Sequence, residues 1–143
     1  PIKSSAASDV YKRQVVYQTG RKYVGTYRVT IKGKGNYTGT IVKTFKIIPM
    51  STNITNISRG KTSIKVNYNK RIYQVSGYQI RVSSSSKMTN ARYVKIGSYK
   101  TNNKTIKSLK RHKRYYVQIR TYKKTTSGTY YSSWSSIRSV VTL

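Results

Sequence analysis

The chain has no cysteine, one acidic residue, one histidine, one phenylalanine, one tryptophan and two prolines among its 143 residues. Without cysteine there are no disulfides and no thiolate metal ligands, and a single histidine cannot assemble a metal site. The one acid, Asp9, and the one histidine, His112, are too few for general acid–base chemistry, which needs titratable groups with separated pKa values. Serines and threonines are present, but no base stands ready to activate them. No run of 18 apolar residues occurs, so no segment reads as a membrane-spanning helix. This inventory points away from an enzyme and implies no cofactor.

Set against these absences are 30 Lys and Arg residues, a formal net charge of +29, and 15 tyrosines. Apolar residues make up 36% and the mean hydropathy is −0.65. High charge with low hydropathy can mark disorder. Here the apolar residues fall into alternating runs, which read as a folded, cationic chain. Its core must draw on β-branched side chains and tyrosine rings, and each buried phenol needs a hydrogen-bond partner. Such a charge invites polyanions and works against the fold at low salt, over a screening length of about 8–10 Å at physiological ionic strength.

Asp9-Val10-Tyr11-Lys12-Arg13-Gln14, written back as codons, resembles read-through of a transposon-end sequencing adapter; the alternative is a native polar linker of coincidental sequence. Residues 1–14 are therefore set aside as a non-native or disordered leader. From Val15 the pattern is β throughout. Tyr27, Val29 and Ile31 share one face of a first strand, Lys32–Gly39 reads as a Gly/Asn-rich loop, and Thr40–Ile48 forms a second strand that ends before Pro49. Lys43 interrupts the apolar face of that second strand, which predicts a bulge or a sheet edge.

After Pro49 come short alternating segments: Ile54–Ile57, Thr62–Tyr68, Gly77–Val82, Tyr93–Ile96, Lys104–Ile106, Arg114–Tyr122 and Tyr130–Leu143. In the longest, Tyr115, Val117, Ile119 and Thr121 point inward, and Tyr116, Gln118, Arg120 and Tyr122 outward. Seven short strands with turns every 8–12 residues or so predict an all-β, antiparallel sandwich of the immunoglobulin class.

Leu109, then Tyr115, Val117 and Ile119, form the pattern of a tyrosine corner, and on it residues ~51–143 resemble a fibronectin type III domain. The resemblance implies that the Tyr115 hydroxyl bonds upstream backbone. The early-strand tryptophan usual in that family is Tyr68 here, which needs a polar outlet. Gly25-Thr26-Tyr27, Val29–Gly33, Gly35–Gly39 and Lys43–Ile47 resemble the closing half of an immunoglobulin-like repeat from surface proteins of Gram-positive gut bacteria. The expected organisation is a leader at 1–14, the C-terminal part of that repeat at 15–49 as a truncated hairpin, and a fibronectin type III-like domain at 50–143.

Three features are candidates for function. Lys110, Arg111, Lys113 and Arg114, around His112, form either a polyanion patch or a merely exposed turn. Tyr131-Ser132-Ser133-Trp134-Ser135 resembles the Trp-Ser-x-Trp-Ser box of cytokine-receptor fibronectin domains. By that resemblance Arg114 and Arg120 stack on Tyr131 and Trp134, either as a stiffening ladder or as an aromatic ligand face. Tyrosines interleaved with lysines also suit nucleic acid, although a chain of this charge binds it non-specifically. The family resemblances imply a non-catalytic spacer or binding module of a secreted or cell-wall-associated bacterial protein. Its partners would be other domains of that protein and an anionic wall polymer or glycan. The alternative is an adhesin that recognises glycan or host protein around Trp134.

Overall fold

The computed structural model describes residues 13–19 and 21–143. They form eleven strands: β1 Arg13–Tyr17, β2 Gly25–Gly33, β3 Thr40–Ile47, β4 Ile54–Arg59, β5 Ile64–Tyr68, β6 Gly77–Ser83, β7 Arg92–Ile96, β8 Asn103–Ile106, β9 Arg114–Thr125, β10 Gly128–Tyr131 and β11 Arg138–Val141. All pairings are antiparallel. The chain divides into two compact units, Pro1–Ile47 and Ile48–Leu143. The leader read at 1–14 lies outside the described residues except for Arg13 and Gln14, which open β1.

The first unit is a three-stranded sheet in the order β1-β2-β3, where two strands were expected. The additional strand, Arg13–Tyr17, is too short for its alternation to stand out in sequence. It pairs with β2 from Arg13↔Gly33 to Tyr17↔Val29. Val15, Ile31 and Ile41 lie opposite one another, as do Tyr17, Val29 and Lys43, and Tyr27 faces Phe45 with ring centres 5.8 Å apart. Lys43 stands on an edge strand whose register with β2 runs without a shift, so the edge alone accommodates it.

The second unit is a sandwich. One sheet has the order β4-β5-β8; the other has the order β10-β9-β6-β7, with β11 also paired to β9. Period-two alternation sends Ile64, Val66 and Tyr68 of β5, Tyr78, Ile80 and Val82 of β6, and Tyr115, Val117 and Ile119 of β9 into one core with Ile54, Ile96, Ile106 and Leu109. The aligned apolar faces of two sheets are what the hydrophobic effect closes, at roughly 25 cal/mol per Å² of apolar surface removed from water. Arginines fasten the sheets across their edges. Arg138 Nη1 donates to Ile54 O at 3.0 Å and Arg59 Nη1 to Val141 O at 3.3 Å.

The buried tyrosines are all provided for. Tyr68, the aromatic residue in the tryptophan position, packs 4.6 Å from the Tyr78 ring and shares a 2.9 Å hydrogen bond with Thr101 Oγ1. Tyr78 accepts from Arg71 N at 2.7 Å and donates to Tyr99 O at 2.9 Å. Tyr122 reaches Ile96 O at 3.3 Å over Gly77, where a Cβ would stand 2.1 Å from that same carbonyl and 2.8 Å from the Tyr122 hydroxyl. Only glycine leaves that passage open.

The last stretch, read as one strand from Tyr130, is two strands separated by an irregular segment. Tyr131 pairs with Tyr122 and Arg138 with Val117, so residues 132–137 stand opposite only 118–121, an excess of two residues. Alternation cannot reveal such a bulge, because half of the hydrogen bonds that bridge it to Ile119 and Thr121 are accepted by serine side chains.

Burial pushes the phenols of Tyr68, Tyr78 and Tyr122 above the ordinary tyrosine value. Each holds its proton more tightly folded than unfolded. The stability they contribute is therefore complete below about pH 10 and is lost as pH rises through their folded values. In an ultraviolet titration of tyrosinate, these three are expected to ionise last, together with cooperative unfolding. Early, non-cooperative ionisation of all tyrosines would contradict this packing.

Candidate functional site

The bulge between β10 and β11 builds the outer face of the larger sheet. Ser132 N donates to Thr121 O at 3.0 Å, and its hydroxyl accepts from Thr121 N at 2.9 Å. Ser135 repeats the arrangement on Ile119, with bonds of 2.8 Å and 3.0 Å. The two serine hydroxyls thus stand in for main-chain carbonyls along a stretch where the ladder is interrupted. Gln118 Nε2 adds a 2.7 Å bond to Ser135 O. This explains serines at 132 and 135: their side chains satisfy buried N–H groups that the bulge would otherwise strand.

Held this way, Tyr131 and Trp134 lie over β9 and β6. The Arg120 guanidinium carbon is 3.8 Å from the Tyr131 ring centre and 4.3 Å from that of Trp134, and Arg81 stands 4.3 Å from Trp134. Lys95 Nζ lies 4.7 Å from the Tyr122 ring, whose centre is 6.3 Å from that of Tyr131. Tyr93 flanks Trp134 at 6.2 Å. Lys95, Tyr122, Tyr131, Arg120, Trp134 and Arg81 therefore make a run in which cations alternate with rings or ring pairs. Each contact is worth about 0.5–1 kcal/mol where exposed. Amide oxygens orient the guanidiniums: Arg120 Nε donates to Gln79 Oε1 at 2.8 Å and Arg81 Nε to Gln118 Oε1 at 2.9 Å. Burial lowers the Arg120 pKa, Arg81 adds to the lowering, and Tyr131 and Tyr93 oppose it.

Arg114 is not part of this run. It lies six residues from Arg120 along β9, about 20 Å at strand spacing, and its Nη1 bonds Ser139 Oγ at 3.2 Å. Arg81 takes the place assigned to it. Parity put both arginines on an outer face but could not place them along it. Tyr122, read as outward, does stand on the outer face, yet it is only 2% exposed because the run covers it. With Trp134 already engaged by two guanidiniums, this face is organised as a ladder that covers β9.

The remaining candidates lie on the loop between β8 and β9. Lys110 N donates to the Tyr115 hydroxyl at 2.9 Å, which is the tyrosine-corner contact, and Leu109 is buried. Thr142, only 1% exposed, ties the loop from the other side: its hydroxyl donates to Lys110 O at 2.6 Å and accepts from Lys113 N at 3.1 Å. Its own N–H donates to Lys113 O at 3.0 Å. The turn so fixed leaves Lys110, Arg111, His112 and Arg114 exposed and Lys113 half-buried.

No protein-family model matches the chain, and no curated protein sequence matches it. Solved structures do. The FN1-FN3 domains of chicken CNTN1 match 84% of the chain with a TM-score of 0.57 at 18% identity, and the chain spans 42% of that structure's length. A myokine structure matches 67% of the chain and 98% of its own, with a TM-score of 0.52 at 16% identity. At these identities the likeness establishes the fold: an all-β, fibronectin type III-like sandwich.

The serine bridges can be tested by single substitutions. Ser132→Ala and Ser135→Ala each strand a buried N–H and are expected to destabilise the fold by about 1–3 kcal/mol. Exposed Ser133→Ala is expected to stay within about 0.5 kcal/mol of the parent. Urea denaturation distinguishes them; equal stability of all three variants would contradict the bridging role.

Proposed function

We propose that the chain is a non-catalytic spacer and binding module of a larger secreted or cell-wall-associated bacterial surface protein, and that its cations contact anionic wall polymers. The observation that carries this reading is the turn at Lys110–Arg114. Hydrogen bonds between its backbone and the Tyr115 and Thr142 hydroxyls fix it, and it presents several cations on a chain that supplies a single carboxylate side chain for all 30 of its Lys and Arg residues. Ordinary surfaces intersperse both signs. A field of one sign attracts polyanions over a Debye length and binds them through many weak contacts rather than one strong one. A sandwich with a core of its own is also suited to holding neighbouring domains apart, because its shape does not depend on what it binds.

The experiment is retention on isolated cell walls. The protein is expected to sediment with phosphate-bearing walls at low salt and to be released as salt rises past physiological ionic strength. Equal retention on walls stripped of teichoic acid would remove the electrostatic part of the proposal.

A further inference from the structure

One cleft of the sandwich stands apart from the diffuse positive surface. It is an open cleft between the β6–β7 loop and the β8–β9 loop, with Ser84, Asn90, Arg92, Ser108, Lys113 and Tyr115 among its lining residues and a volume of ≈ 240 Å³. That is smaller than the usual range for drug-sized ligands, about 300–1,000 Å³. It suits a single small polar group.

Both walls are held in place. Ser83 Oγ donates to Thr89 O at 2.6 Å and accepts from Ser85 N at 3.0 Å, which closes the β6–β7 loop on itself. Arg92, which lines the cleft, is fixed by its Nη2 donating to Lys107 O at 2.6 Å. One guanidinium nitrogen is thereby committed to fixing the arm, and the rest of the fork is left for a ligand. The corner bond of Tyr115 and the Thr142 bonds hold the opposite wall.

Backbone conformation marks the same two loops, and two of the residues concerned, Asn90 and Ser108, line the cleft. Five described non-glycine residues have positive φ, and four of them, Met88, Asn90, Ser108 and His112, lie in these two loops with φ between 49° and 62°. Asn and His adopt left-handed backbone more readily than most residues, whereas at Met and Ser it persists where the surroundings impose it, and such positions gather at ligand clamps.

We infer that this cleft is a discrete binding site for one phosphate group, with Arg92 and Lys113 as its charged contacts and the Ser84 and Ser108 hydroxyls and the Asn90 amide as neutral donors. The donors outnumber what the two oxygens of a carboxylate can accept, and they match the several acceptor oxygens of a phosphate. The nearest acid in sequence is Asp9, in the other unit, so no carboxylate side chain of the second unit competes for the site. The inference rests on the proposed contact with anionic polymers and deepens it: one phosphate of the polymer seats in the cleft, and the flanking Lys110 and Arg111 meet its neighbours.

The test is a titration of glycerol phosphate into the isotope-labelled full chain at about 150 mM sodium chloride, where diffuse attraction is screened. Saturable amide shifts are expected at Ser84, Asn90, Arg92, Ser108 and Lys113, with affinity at least tenfold weaker in Lys113→Gln and in Arg92→Gln. The Lys113 side chain carries none of the loop's hydrogen bonds, so Lys113→Gln keeps the test valid should Arg92→Gln disturb the loop. Lys124→Gln, which changes net charge equally on a distant part of β9, is expected to bind as the parent does. Shifts spread over lysines and arginines generally, or equal weakening by all three variants, would overturn the site. If that happens while the chain still sediments with phosphate-bearing walls, the cleft alone falls; if wall retention is lost as well, both readings fall.

Discussion

Positive charge without a matching negative is the condition that every part of this fold must meet. An ordinary domain offsets arginines and lysines with nearby carboxylates, and here the sequence provides one acidic side chain, at position 9. Arginines instead find neutral acceptors. Arg71 reaches Ser51 O at 2.8 Å, Arg92 reaches Lys107 O, Arg138 reaches Ile54 O, and Arg81 and Arg120 take glutamine side-chain oxygens while lying over rings. The guanidinium suits this use. It is planar, weakly hydrated and rich in donors, so it can bond a carbonyl at its edge and stack on its face. Lysine, a compact and strongly hydrated point charge, is carried mainly on exposed positions, and Lys95 joins the ladder through its ammonium over Tyr122.

The same condition connects structure to function. Carbonyl dipoles and ring quadrupoles stabilise the arginines without cancelling their charge, so the molecule keeps its net positive field. Tyrosine is the complementary choice for the interior. Its ring fills the core between Val and Ile, its hydroxyl reaches a backbone atom or a threonine, and on the outer face its π surface receives a cation. A chain with one phenylalanine and 15 tyrosines has assigned to one residue type the work of core, corner and ladder.

Much of the sandwich was legible in sequence because it rests on period two. The inward set of β9, the corner pairing Leu109 with Tyr115, and the need of Tyr68 for a polar partner all follow from local spacing. What was not legible depends on hydrogen bonds from side chains and on position along a strand. Ser132 and Ser135 replace main-chain acceptors, so one strand in the pattern became β10 and β11. The resemblance paired Arg114 and Arg120 with Trp134, and Arg81 of the neighbouring strand β6 stands there in place of Arg114. Outward Tyr122 became buried because its cover, Tyr131 with Lys95, comes from other strands. Arg13–Tyr17 joined the first sheet because β2 offered an open edge, which a five-residue window cannot announce.

If neutral acceptors inside and anions outside are what make the charge tolerable, stability must depend on salt. The direct measurement is the thermal midpoint of the full chain from about 20 mM to about 500 mM sodium chloride, and with phosphate in place of chloride at equal ionic strength. The account predicts a midpoint that rises with salt and rises further with phosphate. A midpoint that stays flat or falls across that range would contradict it.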